Sequence, residues 1–242
     1  MGSGRRKPQL LSLKLHAALA AVLVGATGCR AGPRSTTAAY AWEVMGGGTT
    51  LSVAAWAKDS VALRTAAEQV RDSMRSADPR GSREILRRAW AAEREDLRLQ
   101  PDWFDVADGY ALDRAVPPLA AVADSALFDL GGLFLWVGPA TKRIVGIADP
   151  DNSLDAVAHV EWHGGSLATV KGEHRSVTVL ATGAFKAASW ASALFSLGCE
   201  RALALAPRLE RRRISVVCAD SAGVRWTTDL QNRVLLPAAR EL

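Results

Sequence analysis

Residues 126–150 of this chain read ALFDLGGLFLWVGPATKRIVGIADP. Two apolar runs, 126–130 and 133–137, flank a pair of glycines, which is typical of two strands joined by a tight turn. A third run, 143–148, ends at Asp149-Pro150, a dipeptide that favours a turn. This stretch therefore predicts consecutive strands connected by short turns.

Helical and strand-like patterns extend from this stretch in both directions. Apolar residues recur every fourth position from Ala62 to Met74, with charged residues between them, which predicts a helix that ends before Pro79. Further helices are predicted over 82–99, 108–122, 185–197 and 201–209. Further strands are predicted over 40–44, 50–56, 157–162, 176–181, 214–219 and 224–228. Because strands and helices are clustered rather than alternating, we expect an α+β fold, a single domain with mixed or antiparallel sheets and packed helices.

The first 28 residues have the features of a secretory signal. Basic residues at positions 5, 6, 7 and 14 accompany an apolar core over 17–25, and the small residues Ala26 and Gly28 follow. The core is too short to span a bilayer as a helix. Cys29 comes next, at the cleavage point, so residues 26–29 resemble a lipobox in which Cys29 is lipidated. Ordinary signal cleavage ahead of Cys29 is the alternative.

Removing that signal changes the charge and the length of the chain. The formal charge of +5 falls to +1, because the four basic residues of the signal have no acidic counterpart there. A chain so close to neutral argues against a nucleic-acid-binding protein. The 214 residues that remain of the 242, in a chain that is 49% hydrophobic, suit one folded domain. We expect a signal peptide over 1–28, a lipid-attached linker over 29–39 and the folded domain over 40–242.

Two cysteines remain once Cys29 is assigned to lipid. Cys199 and Cys218 can form a disulfide in an oxidising compartment. Cys218 lies in an apolar run that indicates a buried strand, and two separate buried thiols are the alternative. Their spacing is not that of a metal site.

Several segments, in order, resemble the FAD:protein FMN transferase family, the ApbE-type lipoproteins. The segments are Met45-Gly46 with TTLSV at 49–53, ADGYALDRA at 107–115, FDLGG at 128–132 with VGIADP at 145–150, and SVTV at 176–179 with ALFSLG at 193–198. The resemblance covers the chain from Met45 almost to its C-terminus. It implies an exported enzyme that transfers FMN from FAD to a threonine of an exported acceptor protein, with Mg²⁺ as cofactor.

The same resemblance assigns residues to the FAD site. It implies FAD contacts at Met45, Gly109, Asp113, Gly131 and Gly132. Glycines suit such a site because they let the backbone approach phosphate groups closely. It also implies that FAD, the acceptor protein and, through the lipid anchor, a membrane are the partners, on the extracytoplasmic side.

The metal positions implied by the resemblance depart from the family pattern. The family carries Asp and Thr where this chain has Ala188 and Ser192, and the resemblance leaves Ser192 and Ala107 as metal-site residues. The family also carries Lys at the position of Asp108. We therefore expect either a transferase in which Asp105 or Asp129 replaces the missing carboxylate, or a degenerate flavin-binding lipoprotein without transfer activity. A structural lipoprotein without a ligand is a third alternative.

Overall fold

The strands of the chain form two sheets that pack against each other. The computed structural model describes residues 36–44, 49–77, 83–94, 97–152 and 155–237. The strands are β1 (Thr36–Val44), β2 (Thr49–Ala57), β3 (Ser125–Leu130), β4 (Leu133–Val137), β5 (Arg143–Ala148), β6 (Ala156–Trp162), β7 (Gly165–Gly172), β8 (Arg175–Ala181), β9 (Ser215–Asp220), β10 (Gly223–Trp226) and β11 (Val234–Leu235). The large sheet has the order β1-β2-β3-β4-β7-β8-β9-β10 and the small sheet has the order β11-β6-β5. Each strand pairing between described residues is antiparallel.

Helices cover the face of the large sheet that the small sheet leaves open. They are α1 (Ser60–Ser76), α2 (Arg83–Arg94), α3 (Trp103–Ala115), α4 (Pro117–Ala120), α5 (Ala184–Leu197), α6 (Cys199–Ala204) and α7 (Ala206–Arg211). The antiparallel sheets with helices packed on one side confirm the predicted α+β class. The described elements all belong to one compact unit, residues 33–242.

The large sheet is buried on both faces where β4, β7, β8 and β9 lie. Strand β9 illustrates the reason, because successive side chains of a strand point to opposite faces. Val216 and Cys218 join the core under the helices, whereas Val217 joins a second core that includes Trp136 and Trp162 and is shared with the small sheet. These strands are therefore apolar on both faces.

The pattern over 62–74 correctly predicts α1 and its buried face. Asp59 begins the helix, since its Oδ1 accepts hydrogen bonds from the backbone N–H groups of Val61 (2.8 Å) and Ala62 (3.0 Å). The residues buried against the core are Leu63, Ala66, Ala67, Val70 and Met74. The apolar period thus fixes which side of α1 packs on the sheet.

Several predicted boundaries are wrong. The segment 108–122 is two helices rather than one, because α3 ends at Ala115 and Pro117, which lacks an N–H, begins α4. The segment 201–209 is likewise divided at Leu205 into α6 and α7. The predicted helix over 82–99 ends at Arg94. The predicted linker over 29–39 overlaps β1, since Thr36 already pairs with Ala57.

Strand β7 was not predicted. It lies between β4 and β8 and pairs with both, with Leu133 opposite Ala168 and Thr169 opposite Thr178. Two glycines at its start and Lys171-Gly172 at its end interrupt the local apolar pattern. Strand β7 forms because β4 and β8 pair with it, although its own sequence does not predict a strand.

Candidate functional site

A small cleft lies where the β3–β4 turn, β7, α3 and α5 meet. Its volume is about 60 Å³. The β3–β4 turn contributes Gly131 and Gly132, β7 contributes Thr169, and α5 contributes Ala188. Helix α3 contributes two carboxylates, which are described below.

Two glycines make the tight turn at one wall of the cleft. Gly131 has a φ of 60° and Gly132 a φ of 92°, in the left-handed region that side chains disfavour. Asp129 fixes the turn, because its Oδ1 accepts a hydrogen bond from the N–H of Gly132 at 3.3 Å. The N–H of Thr169 donates to the carbonyl of Gly132, also at 3.3 Å, so the turn is joined to β7. The backbone of this turn is therefore exposed to the cleft in a fixed conformation.

Two carboxylates on α3 face the glycine turn across the cleft. Asp105 and Asp108 are three positions apart, so they lie on the same side of the helix. Burial, with a smaller contribution from repulsion by Asp105, raises the pKa of Asp108 to about 6. Burial also raises the pKa of Asp105, while a hydrogen bond with Ser192 lowers it. The described lining of the cleft thus places two carboxylates side by side.

Gly109 and Asp113 hold α3 against the start of α5. A Cβ atom at Gly109 would lie 2.6 Å from the carbonyl oxygen of Ala184, so only glycine permits this approach of the two helices. The two carboxylate oxygens of Asp113 accept hydrogen bonds from the N–H groups of Ala184 and Phe185, each at 2.8 Å. A carboxylate at a helix N-terminus also interacts favourably with the helix dipole. These contacts set the position of Asp105 and Asp108 relative to α5.

The structure separates the predicted FAD residues into three groups. Gly131 and Gly132 line the cleft. Gly109 and Asp113 lie at the contact between α3 and α5. Met45 lies outside the described residues, as does the predicted lipidation site Cys29. The FAD-binding role of each of these residues stays a prediction.

The predicted metal residues are engaged in protein contacts. The Oγ of Ser192 accepts a hydrogen bond from the N–H of Asp102 at 2.7 Å. Ala107 is 5% exposed and packs with Leu86 and Val106. Ala188 lines the cleft without an oxygen atom in its side chain. The described residues contain no group of three or more His, Cys, Asp or Glu that could hold a metal.

The chemistry of the cleft nevertheless fits a hard divalent cation. Carboxylate and hydroxyl oxygens are the ligands that Mg²⁺ prefers. Asp105, which is hydrogen-bonded to Ser192, and Asp108 supply two carboxylates on α3 rather than at the α5 position that Ala188 occupies. Asp129, the other replacement that the sequence suggested, is used to hold the glycine turn.

One contact near the cleft was not predicted from the sequence. The hydroxyls of Thr169 and Thr178 are 2.9 Å apart on the paired strands β7 and β8. Thr178 is fully buried, so this hydrogen bond stabilises the strand pair beside the cleft. In the sequence, this contact corresponds to one threonine in each of two apolar runs. The two threonines can be matched only after β7 has been identified as a strand that pairs with β8.

The described histidines lie away from the cleft lining. His174 is in the β7–β8 turn, where its Nδ1 lies 2.5 Å from Oδ1 of Asp151, and both side chains are exposed. His163 follows β6 and lies 3.8 Å from a carboxylate oxygen of Glu161. Both histidines therefore lie at the surface of the protein.

Cys199 and Cys218 form a disulfide between the start of α6 and β9. Their Cα atoms are 5.6 Å apart, and both residues are buried in the core under the helices. Of the two alternatives that the sequence left open, a disulfide or two separate buried thiols, the structure has the disulfide. Among the described residues, no helix combines the length and the apolar character needed to span a membrane.

The fold is similar to that of solved flavin transferases. The ApbE protein of Thermotoga maritima superimposes with a TM-score of 0.62 and 15% identity, over 81% of this chain and 99% of that chain. The flavin transferase ApbE of Vibrio cholerae gives 0.59 and 13%, over 82% and 99%. The flavinyl transferase ApbE of Pseudomonas stutzeri gives 0.55 and 18%, over 80% and 94%. No family model and no curated protein matches the sequence. The architecture that the sequence resemblance implied is therefore confirmed: this chain has the fold of the ApbE flavin transferases.

Proposed function

We propose that this chain is an FAD:protein FMN transferase whose substrate site is the cleft beside Gly131-Gly132. The observation that carries the proposal is the meeting of two α3 carboxylates with a glycine turn in the fold of flavin transferases. In the reaction, a threonine hydroxyl oxygen of the acceptor bonds to the flavin-side phosphorus of FAD. The bond from that phosphorus to the bridging oxygen breaks, AMP leaves, and the hydroxyl proton passes to solvent.

In this proposal the glycine turn binds the phosphates of FAD and the two carboxylates bind the cation. The backbone of Gly131 and Gly132 lets phosphate oxygens approach closely, which a Cβ-bearing residue would not readily allow at these φ values. Asp105 and Asp108 would hold Mg²⁺, taking the place of the carboxylate that Ala188 lacks. Bound there, Mg²⁺ would neutralise charge on the pyrophosphate.

Because the cleft is lined by carboxylates, this proposal requires a divalent cation for FAD to bind there. Among the described residues that line the cleft there is no Lys or Arg, whereas Asp105 and Asp108 are both present. A pyrophosphate placed beside two carboxylates would be repelled by both of them. We therefore expect FAD to bind weakly without divalent cations and more tightly in their presence.

One observation favours a second function, flavin binding without transfer. Ala188 removes an oxygen ligand from α5, and Ser192 already accepts a hydrogen bond from Asp102. A cation held from α3 alone would be poorly placed for catalysis while still supporting binding. This alternative predicts flavin binding that depends on Mg²⁺ and no covalent product.

The experiment mixes residues 33–242 with FAD, Mg²⁺ and a flavinylation acceptor, and measures covalent flavin fluorescence on a denaturing gel. We expect slow transfer that chelation abolishes and that Asp105→Asn removes. Ala188→Asp should increase the rate, because it restores a carboxylate one helical turn from Ser192. The matched control is Asp72→Asn, which changes a carboxylate in α1 that pairs with Arg71. Binding without covalent product would support the second function, and neither binding nor product would reject both.

We propose that the protein is exported and anchored by a lipid at Cys29. The basic and apolar segments before Cys29 support export. The buried disulfide Cys199–Cys218 also supports it, because disulfides persist in oxidising compartments.

A further inference from the structure

A second and larger cavity lies between α2 and the segment that leads into α3. Its volume is about 470 Å³, against about 60 Å³ for the cleft. Gln100 and Trp103 form one side of it, and α2 forms the other. The α2 residues that line it are Glu84, Arg87, Arg88, Trp90, Ala91 and Arg94. We call this cavity the α2 groove.

The α2 groove is long enough to hold a short stretch of polypeptide. Its first and last lining residues on α2 are Glu84 and Arg94, and the helix rises about 15 Å between them. An extended chain rises about 3.3 Å per residue, so about four residues of such a chain match the length of the groove.

Two hydrogen bonds hold the two sides of the groove together. Nε1 of Trp90 donates to the carbonyl of Leu99 at 3.0 Å. Nη1 of Arg94 donates to the carbonyl of Leu97 at 3.2 Å. Because these contacts join α2 to the segment before α3, the groove is formed by the fold itself.

The described lining of the α2 groove is positively charged. It contains three guanidinium groups and one carboxylate, that of Glu84, which pairs with Arg88 at 3.0 Å. Arg87 is exposed, and no described residue forms an ion pair or a hydrogen bond with it. The hydrogen bond from Arg94 to Leu97 uses one of the five N–H donors of that guanidinium. The groove therefore offers N–H donors to an anionic ligand.

The α2 groove and the cleft lie on nearly opposite sides of the first turn of α3. Trp103 lines the groove, and Asp105, two positions later, lines the cleft. A helix with its side chains is about 10 Å across, so a bound polypeptide can reach from one to the other within a few residues. The two sites have opposite charge, since carboxylates line the cleft and arginines line the groove.

We propose that the α2 groove binds an acidic stretch of the acceptor protein, a few residues from the threonine that receives FMN. The identity of this ligand rests on the transfer reaction proposed above. Arginine suits the role because its guanidinium forms paired hydrogen bonds with a carboxylate. The carboxylates of the cleft repel an acidic stretch while the groove attracts it. The acceptor is thereby oriented, with its acidic stretch at α2 and its threonine toward the cleft.

The test measures peptide binding to residues 33–242 without FAD, by fluorescence anisotropy. The probe is a short fluorescein-labelled peptide with consecutive glutamates, and its control has glutamine at the same positions. We expect the glutamate peptide to bind at least about tenfold more tightly than the glutamine peptide, because it alone forms charged hydrogen bonds. Added salt should weaken its binding, because salt screens exposed charges.

Variants of Arg87 locate the binding site. Arg87→Glu should weaken binding of the glutamate peptide by about tenfold or more. Arg87→Lys should weaken it less, because lysine keeps the charge and loses the paired hydrogen bonds. The matched control is Arg64→Glu, which makes the same change at an exposed position of α1 and should leave binding unchanged. Thermal unfolding of each variant checks that it is folded.

Three results would overturn the proposal. They are no binding of the glutamate peptide, an equal loss of binding in Arg87→Glu and Arg64→Glu, and displacement of the peptide by ADP, which would make the groove a nucleotide site. The expected binding pattern without covalent flavin in the gel assay would support the acidic-peptide site and reject the transfer reaction. Failure of the groove and failure of the proposed function are therefore distinguishable.

Discussion

Asp108 allows a direct test of whether the cleft destabilises a buried carboxylate. Its carboxyl has a pKa of about 6 in the folded protein, against an ordinary value of 3.8. Burial is the main cause, and repulsion from Asp105 adds to it. The substitution Asp108→Asn removes the charge and keeps the shape of the side chain. We expect this variant to be more stable than the unmodified protein at neutral pH in the absence of divalent cations.

The sign of the stability change follows from which state of the protein, folded or unfolded, binds the proton of Asp108 more tightly. The folded state holds the proton of Asp108 up to about pH 6, whereas the unfolded chain loses it near 3.8. The group therefore stabilises the fold at low pH, and that contribution is lost as pH rises through 6. The full shift corresponds to about 3 kcal/mol. Because the side chain is partly exposed, screening by solvent reduces the expected effect to about 1.5 kcal/mol.

Urea unfolding in the presence of a chelator measures this difference. The free energy of unfolding of Asp108→Asn should exceed that of the unmodified protein at about pH 7.5, and the two should converge near pH 4. Asp72→Asn is the control, since Arg71 lowers the pKa of that exposed carboxyl and the pH dependence has the opposite sign. A stability gain of the same size at both pH values, or none at either, would show that the charge is not desolvated in the cleft.

Three further outcomes test contacts elsewhere in the chain. Asp113→Ala should lower the free energy of unfolding by about 2 kcal/mol, because two N–H groups at the start of α5 lose their acceptors, and Asp113→Asn should cost less. Replacing Cys199 and Cys218 together by Ser should cost about 3 kcal/mol for a bridge between residues 19 apart, and reductant should then have no further effect. Cys29→Ser should release the protein from the membrane fraction of expressing cells, and unchanged association would reject the lipid anchor.

Local patterns predict the parts of this fold that depend on neighbours in the sequence. The glycine pair at 131–132 between two apolar runs predicts the β3–β4 turn, since the left-handed φ values found there belong to glycine. The four-residue period over 62–74 predicts which face of α1 is buried. The motifs in their order predict the flavin transferase fold, although no more than 18% of residues are identical to those of the solved structures described above.

Tertiary structure decides the parts that depend on contacts between distant segments. Asp113 is 71 residues from Ala184, and nothing in the sequence near either residue indicates that one caps the helix of the other. Strand β7 forms because β4 and β8 offer it partners on both sides, despite the glycines at its ends. Asp105, Asp108 and Ala188 meet only because Gly109 lets α3 and α5 approach closely. The sequence by itself thus determines helix α1 and the glycine turn, because turn geometry and helical period are local properties. The charge of the cleft and the pKa of Asp108 are decided by tertiary packing, because desolvation depends on everything that surrounds a group.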